Sequence, residues 1–561
     1  MLRPILLLAA CTLTSCATTE MATAEGAPPT ETVAVPTVPV PLMKEVIARL
    51  ASDEFEGRGP STRAEDLTIT EIIARFKAAG LQPGNNGQWL QEVPTVDITA
   101  KGVSPLTVGG GAKPLSFAYG SDFVAGSYRV TSQTSIANSE LVFVGYGIVA
   151  PELGWNDYAG LDMKGKTAII LVNDPDYAMT TEDGPFKGRR MTYYGRWTYK
   201  FEEAARQGAA AALIVHDTFP AAYGWNVVNS SWTGTQHYVQ RADNAMGETQ
   251  ANGWIQKPVA EAIVGAAGKD FATLSAAAGQ KGFRPVSLGL KANLAFANTI
   301  KTGVSRNVIG ILPGTTRKDE YVLYTAHWDH LGRCNADKTG DDICNGAVDN
   351  ASGIAGLVAL ADMFRREDAY PRSQVFAAVT LEESGLLGSE WYASHPVYPL
   401  DHTVGGVNID GLAPIGPARD VTATGGDKSD LTGILEQTLA TMGLRLSPEA
   451  FAERGGYYRS DHFSLAKRGV PMFRVGRGLD LVEGGVEAGT AASDDYTKNR
   501  YHQPSDEYSP DWDFRGIAQE AGLLYRLGRT LAEGATWPNW HPTDEFRAVR
   551  DKDCAASAGG C

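Results

Sequence analysis

The sequence predicts an α/β protein: a mixed, mainly parallel sheet sandwiched by helices, with a β-rich module inserted into it. From Asn307 to about Glu533, short apolar runs alternate with amphipathic stretches, the pattern of βαβ units whose sheet is covered on both faces. From about Ser132 to Leu290 the texture changes to β-branched runs, Gly turns and an intervening helix. At 561 residues the chain is too long for one ordinary core, so two or three domains are expected.

Taken in order, the chain opens with Arg3 and a short apolar run that ends in Leu13-Thr14-Ser15-Cys16. The run is too short to span a bilayer and reads as a secretory signal. Its end resembles the lipobox of bacterial lipoproteins, which implies a lipid anchor on Cys16 and, with Ala17 following, a place at the outer membrane. A stretch rich in Thr, Ala, Pro and Val follows as a tether. Helical spacing begins near Leu42 and recurs in Ala64–Gly80, closed by Gly80 and Pro83. Strands are expected in Ser139–Ile148 and Lys166–Asp174, and then a helix, a Gly turn and a strand in Phe201–Asp217. Beyond the insert, strands are expected at 321–326, 375–381 and 404–409, with a helix in Ala351–Arg366 between the first two. The expected division is signal 1–16, tether 17–40, N-terminal part of the main domain 41–131, insert 132–290, main α/β body 291–545 and tail 546–561.

The composition, 43% hydrophobic and 20% charged, is that of a globular protein. A formal charge of -15 argues against nucleic acid and anionic membrane surfaces as partners, which it would repel, and tolerates or attracts metal cations. After removal of the signal, Cys334, Cys344, Cys554 and Cys561 remain in two local pairs, which suits two short-loop disulfides in an oxidising compartment.

The chemistry gathers where the strands end. His327-Trp328-Asp329-His330 follows the first strand, Glu382-Glu383-Ser384-Gly385 the second and Asp410-Gly411 the third; in open parallel sheets, ligands collect at those carboxyl ends. Asp349 precedes a helix start, where its charge is favoured. His502 lies in Tyr501-His502-Gln503-Pro504-Ser505-Asp506, a loop able to close over the same rim. One His with two Asp suits one zinc, and Asp, Glu and His suit a second. A carboxylate shared by two ions holds them ~3.5–4 Å apart over a water of lowered pKa. Of the adjacent Glu382 and Glu383, one can bind metal while the other takes the proton.

These segments, with Ala347-Val348-Asp349-Asn350-Ala351-Ser352-Gly353 and Asn408-Ile409-Asp410, resemble the co-catalytic zinc aminopeptidase family (peptidase family M28), whose motifs occur here in family order. The resemblance implies a zinc-exopeptidase fold and two Zn2+, with His327, Asp349 and Asp410 on one ion and Asp349, Glu383 and His502 on the other. It makes Glu382 the general base, Asp329 the residue that orients His327 and Tyr501 a donor to the oxyanion. It also implies a cis Asp349–Asn350 peptide. Val348 departs from the polar residue common in relatives. The insert, through Lys164-Gly165-Lys166 and the Gly208–Ala211 step, resembles a protease-associated domain, so its His216 and His237 need not be ligands.

The implied function is an exopeptidase acting on peptide substrates, an aminopeptidase in preference to a glutamate-releasing carboxypeptidase. Arg454, Arg459 and Lys467 could line a pocket for a substrate carboxylate and keep the second open. A glutaminyl cyclase, which uses one zinc, and a non-catalytic receptor on this fold are the other relatives. Ser460-Asp461-His462 is too local for a hydrolytic triad and lacks a Gly-x-Ser-x-Gly elbow. His330 is expected to face solvent or serve loop packing, with support of the site as the alternative, and Trp328 and Tyr458 are open between pocket and core.

Overall fold

A computed structural model describes residues 36–367, 369–557 and 561. The expected signal, Cys16 and most of the tether lie outside the described residues.

Two helices open the fold, α1 (Val40–Leu50) and α2 (Arg63–Ala78). The Thr62 hydroxyl accepts the Ala64 N–H at 3.1 Å and so caps α2. Strand β1 (Leu90–Lys101) follows, and then β2 (Gln133–Phe143), β3 (Thr167–Leu171), α3 (Trp197–Arg206), β4 (Ala211–His216) and β5 (Ala251–Gln256). β2, β3, β4 and β5 are parallel neighbours in that order. β3 and β4 are buried at every position, so the insert holds a small α/β core of its own.

Strand β6 (Val286–Leu312) runs for 27 residues and crosses the expected 290/291 division without a break. It pairs antiparallel with β2 at one end and with β1 along its middle. Its far end pairs antiparallel with β8 (Arg372–Val379), which follows β7 (Arg317–His327) and α4 (Gly353–Arg366). The remaining elements of the main sheet are α5 (Leu387–Ser394), β9 (Thr403–Asn408), β10 (Asp420–Thr424), α6 (His462–Ala466) and β11 (Met472–Arg477). β8, β7, β9 and β11 are parallel in that order, and β10 pairs antiparallel with β11 and parallel with the short strand Arg445–Ser447 beyond it. Mixed α/β with a parallel centre is thus the observed class, and the expected strands fall where the apolar runs lie.

Helices α7 (Gly485–Asn499) and α8 (Phe514–Glu533) complete the main body. α4 and α8 pack together on the sheet. The helical stretch Ala347–Arg366 is long and apolar enough to cross a membrane, but 94% of its apolar window is buried inside the protein, so it is a core helix. Both expected disulfides, Cys334–Cys344 and Cys554–Cys561, are present. The stretch expected as a tail contains a helix, Arg547–Ala556, whose buried Arg550 donates to the carbonyls of Leu400 and Thr403, each at 2.9 Å.

One buried ion cluster joins three parts of the chain. Lys428 Nζ meets Asp544 at 2.9 Å and Glu545 at 2.8 Å, with the rings of Tyr457, Tyr458 and Phe546 around it. Glu545 also accepts the Tyr193 N–H of the insert and the Tyr458 hydroxyl. Removing the cation alone strands two buried carboxylates, which costs about 3–5 kcal/mol. Lys428→Met should therefore lower the free energy of unfolding by about that much in a denaturant titration, and an unchanged midpoint contradicts this reading of the cluster.

Candidate metal centre

The three strand ends meet as the βαβ pattern requires. His327 is the last residue of β7, Glu382 and Glu383 follow β8, and Asp410 follows β9. Asp349 sits in the turn before α4, and its peptide to Asn350 is cis. The Asn350 side chain holds this turn to the strand end: its amide donates to Ile409 O at 3.0 Å, and its oxygen accepts the N–H of Gly353 and Gly411.

The expected ligands converge on the carboxylate of Asp349. Its Oδ1 lies 3.3 Å from His327 Nε2, which is also 3.5 Å from Asp410 Oδ1. Its other oxygen, Oδ2, lies 3.3 Å from His502 Nε2, which is 3.1 Å from Glu383 Oε2. Donors ~2.0–2.1 Å from a tetrahedral ion stand ~3.3–3.4 Å apart, so these separations fit coordination. They fit hydrogen bonding less well, for His502 Nε2 has no hydrogen-bond partner despite two carboxylates at that distance. The donor set of imidazole nitrogen and carboxylate oxygen is the one zinc takes. Residues that could hold a metal ion are therefore in place.

Electrostatics point the same way. Asp349, Glu383, Asp410 and Glu382 crowd one small volume around the imidazoles of His327 and His502. Burial would depress His502, but the carboxylates of Asp349 and Glu383 beside it outweigh that and raise the imidazole to about 10. Burial works against Asp410 too, yet Arg474 and His327 lower it to about 2. Glu382 moves the other way. Burial lifts its carboxyl well above the usual range, the charges of Asp410, Asp461 and Glu383 add to this, and His327 opposes it. Bound cations would pull it down again.

The surrounding residues refine the expected roles. Asp329 does not orient His327 through its carboxylate: His327 Nδ1 bonds the Asp329 backbone oxygen at 3.1 Å, and the carboxylate is 3.8 Å away. That carboxylate instead accepts the N–H groups of Glu382 and Glu383 at 3.2 and 3.4 Å, because the strand-end turn turns both amides toward it. His330, expected to serve loop packing, is fully buried with Nδ1 2.6 Å from Glu383 Oε1. It forms a possible donor set with Asp349 and Glu383. Gly346 has φ +56°, and a Cβ there would lie 2.1 Å from Asp349 O and 2.6 Å from the His330 ring, so only glycine lets the loop close this tightly.

Asp506, quoted in the sequence motif without a role, accepts the N–H of Val348 and Asp349 at 3.1 Å each. Tyr501 stacks on His502 with ring centroids 3.9 Å apart. Its hydroxyl has its pKa raised, by burial and by the charges of Asp349 and Glu383, and stays protonated. Ser460 donates to Asp410 at 2.6 Å and accepts from Asn408, which makes it a support for Asp410. Trp328 and Tyr458 are both core residues, at 0% and 3% exposure.

Comparison with known proteins follows this geometry. Residues 307–523 match the family model of Peptidase family M28. That segment carries every donor named above. Aminopeptidase NAALADL1 of Mus musculus is 30% identical over 138 residues, 23% of this chain and 17% of its own length. A probable zinc metalloprotease of Pyrenophora tritici-repentis is 38% identical over 84 residues, 15% of this chain and 18% of its own. The chain thus spans under a fifth of the curated relatives it matches. Among solved structures, an aminopeptidase from Aneurinibacillus sp. strain AM-1 has a TM-score of 0.48 at 20% identity, covering 89% of this chain and 96% of that one. BSAP, a zinc aminopeptidase from Bacillus subtilis, has a TM-score of 0.41 at 18% identity, covering 91% and 100%.

Crowded carboxylates should make the fold gain stability from cations. Zinc at a hundred times its dissociation constant adds about 2.7 kcal/mol per site. We expect a clear rise in melting temperature when zinc is added to chelator-treated protein, and most of it should be lost in Asp349→Asn. A melting temperature indifferent to zinc contradicts the assignment of the centre.

Proposed function

We propose that the protein is a zinc-dependent aminopeptidase with two ions sharing Asp349. The observation that carries this is the division of one carboxylate between two donor sets, with Oδ1 facing His327 and Asp410 and Oδ2 facing His502 and Glu383. Zinc, when bound there, supplies Lewis-acid polarisation of the scissile carbonyl and a lowered pKa for a neighbouring water. The chain's own residues do the rest. Glu382 takes the proton of the attacking water and returns it to the departing amine. Asp329 aims it by holding its backbone N–H. Tyr501, a neutral donor beside His502, stabilises the negative oxygen of the tetrahedral intermediate.

Preference for a free amino terminus is supported by the excess of carboxylates at the centre, which suits an ammonium group. The glutamate-releasing alternative needs free cations, and two of the three it would use are engaged elsewhere. Lys467 pairs with Glu202 at 2.9 Å, and Arg454 lies over the Phe451 ring at 4.0 Å. The names of the aminopeptidase relatives agree. The insert, read as a protease-associated domain, is tied to the main body through Glu202 and Tyr193. Leu13-Thr14-Ser15-Cys16 supports a lipid anchor at the periplasmic or cell surface, and the two disulfides fit an oxidising compartment.

A panel of amino-acyl chromogenic amides and their N-blocked counterparts tests the reading. Only the free amines should be cleaved, and Glu382→Ala should keep its zinc while losing at least about 100-fold in kcat. Equal cleavage of blocked substrates removes the aminopeptidase assignment. Zinc stoichiometry gives a separate check: the wild type should hold two ions per chain and His502→Ala one, whereas one ion in the wild type contradicts the shared carboxylate.

A further inference from the structure

Arg58 is a cation that the chemistry leaves unused. It is fully buried, and every hydrogen bond it makes goes to a backbone carbonyl. Nε donates to Trp328 O at 2.9 Å, one Nη to Leu50 O at 2.9 Å and Asn345 O at 2.6 Å, and the other to Gly346 O at 2.8 Å and Asp349 O at 3.5 Å. Besides Leu50 at the end of α1, the acceptors belong to two segments, the turn after β7 that follows His327 and the loop that presents Asp349. Between these segments runs the excursion closed by Cys334–Cys344.

The backbone beside Arg58 is strapped to the turn after β7, and that turn to the loop beyond it. Gly332 N donates to Gly57 O at 2.9 Å, His330 N to Arg58 O at 3.4 Å and Cys344 N to Gly332 O at 3.0 Å. Gly57 has φ +67°, and a Cβ on it would lie 2.5 Å from both Cys344 O and Gly332 O, so the approach is closed to any other residue. Among the described residues no carboxylate lies within ion-pair distance of Arg58. The charges of Asp349, Asp506, Asp329 and Glu383 act on it from further off, against a burial that lowers it to about 10, so it stays cationic at neutral pH.

We propose that Arg58 is the positioning residue of the metal centre, fixing the His327 and Asp349 segments at the spacing the ions require through a guanidinium fork on their carbonyls. The assignment rests on the zinc reading above. Arginine is suited because its five donors sit in one rigid plane, whereas a lysine ammonium is a single point with three. It cannot reach both segments at once.

The test compares Arg58→Lys with Arg372→Lys. Arg372 is equally buried and also donates to several carbonyls, those of Leu531, Thr536 and Ala535, but it lies away from the centre and pairs with Glu320. Zinc affinity is measured by chelator competition, together with melting temperature and with kcat and KM at saturating zinc. Arg58→Lys should weaken zinc binding by about 10–100-fold, the range for groups that orient ligands, and leave KM within about twofold. Arg372→Lys should lower the melting temperature and leave zinc affinity unchanged. Wild-type zinc affinity in Arg58→Lys, or equal weakening in Arg372→Lys, overturns the proposal. A wild type that binds no zinc overturns the zinc reading itself. Should Arg58→Lys fail to fold, hydrogen exchange on the wild type decides: residues 53–59, which supply no ligand, should gain protection when zinc is added, and unchanged exchange there overturns the proposal.

Discussion

The structure is organised around an electrostatic problem. Asp349, Glu383, Asp410 and Glu382 converge in one largely buried space, and like charges so placed repel strongly. Two imidazoles answer part of that repulsion; cations answer the rest. Much of the nearby architecture serves to keep the carboxylates together despite it. Asp506 holds the amides of Val348 and Asp349, Asp329 holds those of Glu382 and Glu383, Ser460 holds Asp410 and His330 holds Glu383. Each restraint fixes a donor before any ion arrives, which is what preorganisation requires.

The sheet supplies the coarse placement. Parallel β7, β8 and β9 end on the same edge, so residues far apart in the chain leave their strands at one level. The fine placement comes from backbone contacts that no side-chain pattern encodes, above all the carbonyls gathered by Arg58. β6 extends this order outward, since one strand carries pairing from the main sheet to β1 and β2. The insert is tied back to the body through Glu202, Tyr193 and the cluster at Lys428.

What could be read in the sequence follows from the range of each signal. β-branched runs such as 321–326 and 375–381 are local and marked β7 and β8 well. The candidate metal donors could be named because five polar segments occur in a set order, and the structure brings His327, Asp349, Glu383, Asp410 and His502 close together. The individual couplings were not legible. His330 looks like any loop histidine until the fold buries it against Glu383. Asp329 was expected to orient His327 with no atom specified, because a carbonyl and a carboxylate of one residue cannot be told apart by spacing; the bond goes to its backbone oxygen. Trp328 was open between pocket and core, and its indole N–H donates to Arg306 O, on β6. The length of β6 was hidden as well: the expected division fell inside it at 290/291, and only the pairing with β1 and β2 shows one continuous strand.

The central claim is that the two oxygens of Asp349 face two different ions. Anomalous diffraction at the zinc absorption edge, on crystals grown with zinc, addresses it directly. The account predicts two peaks ~3.5–4 Å apart, one beside His327 and Asp410 and the other beside His502 and Glu383, with the Asp349 carboxylate between them. A single peak, or two peaks that do not share Asp349, would contradict it.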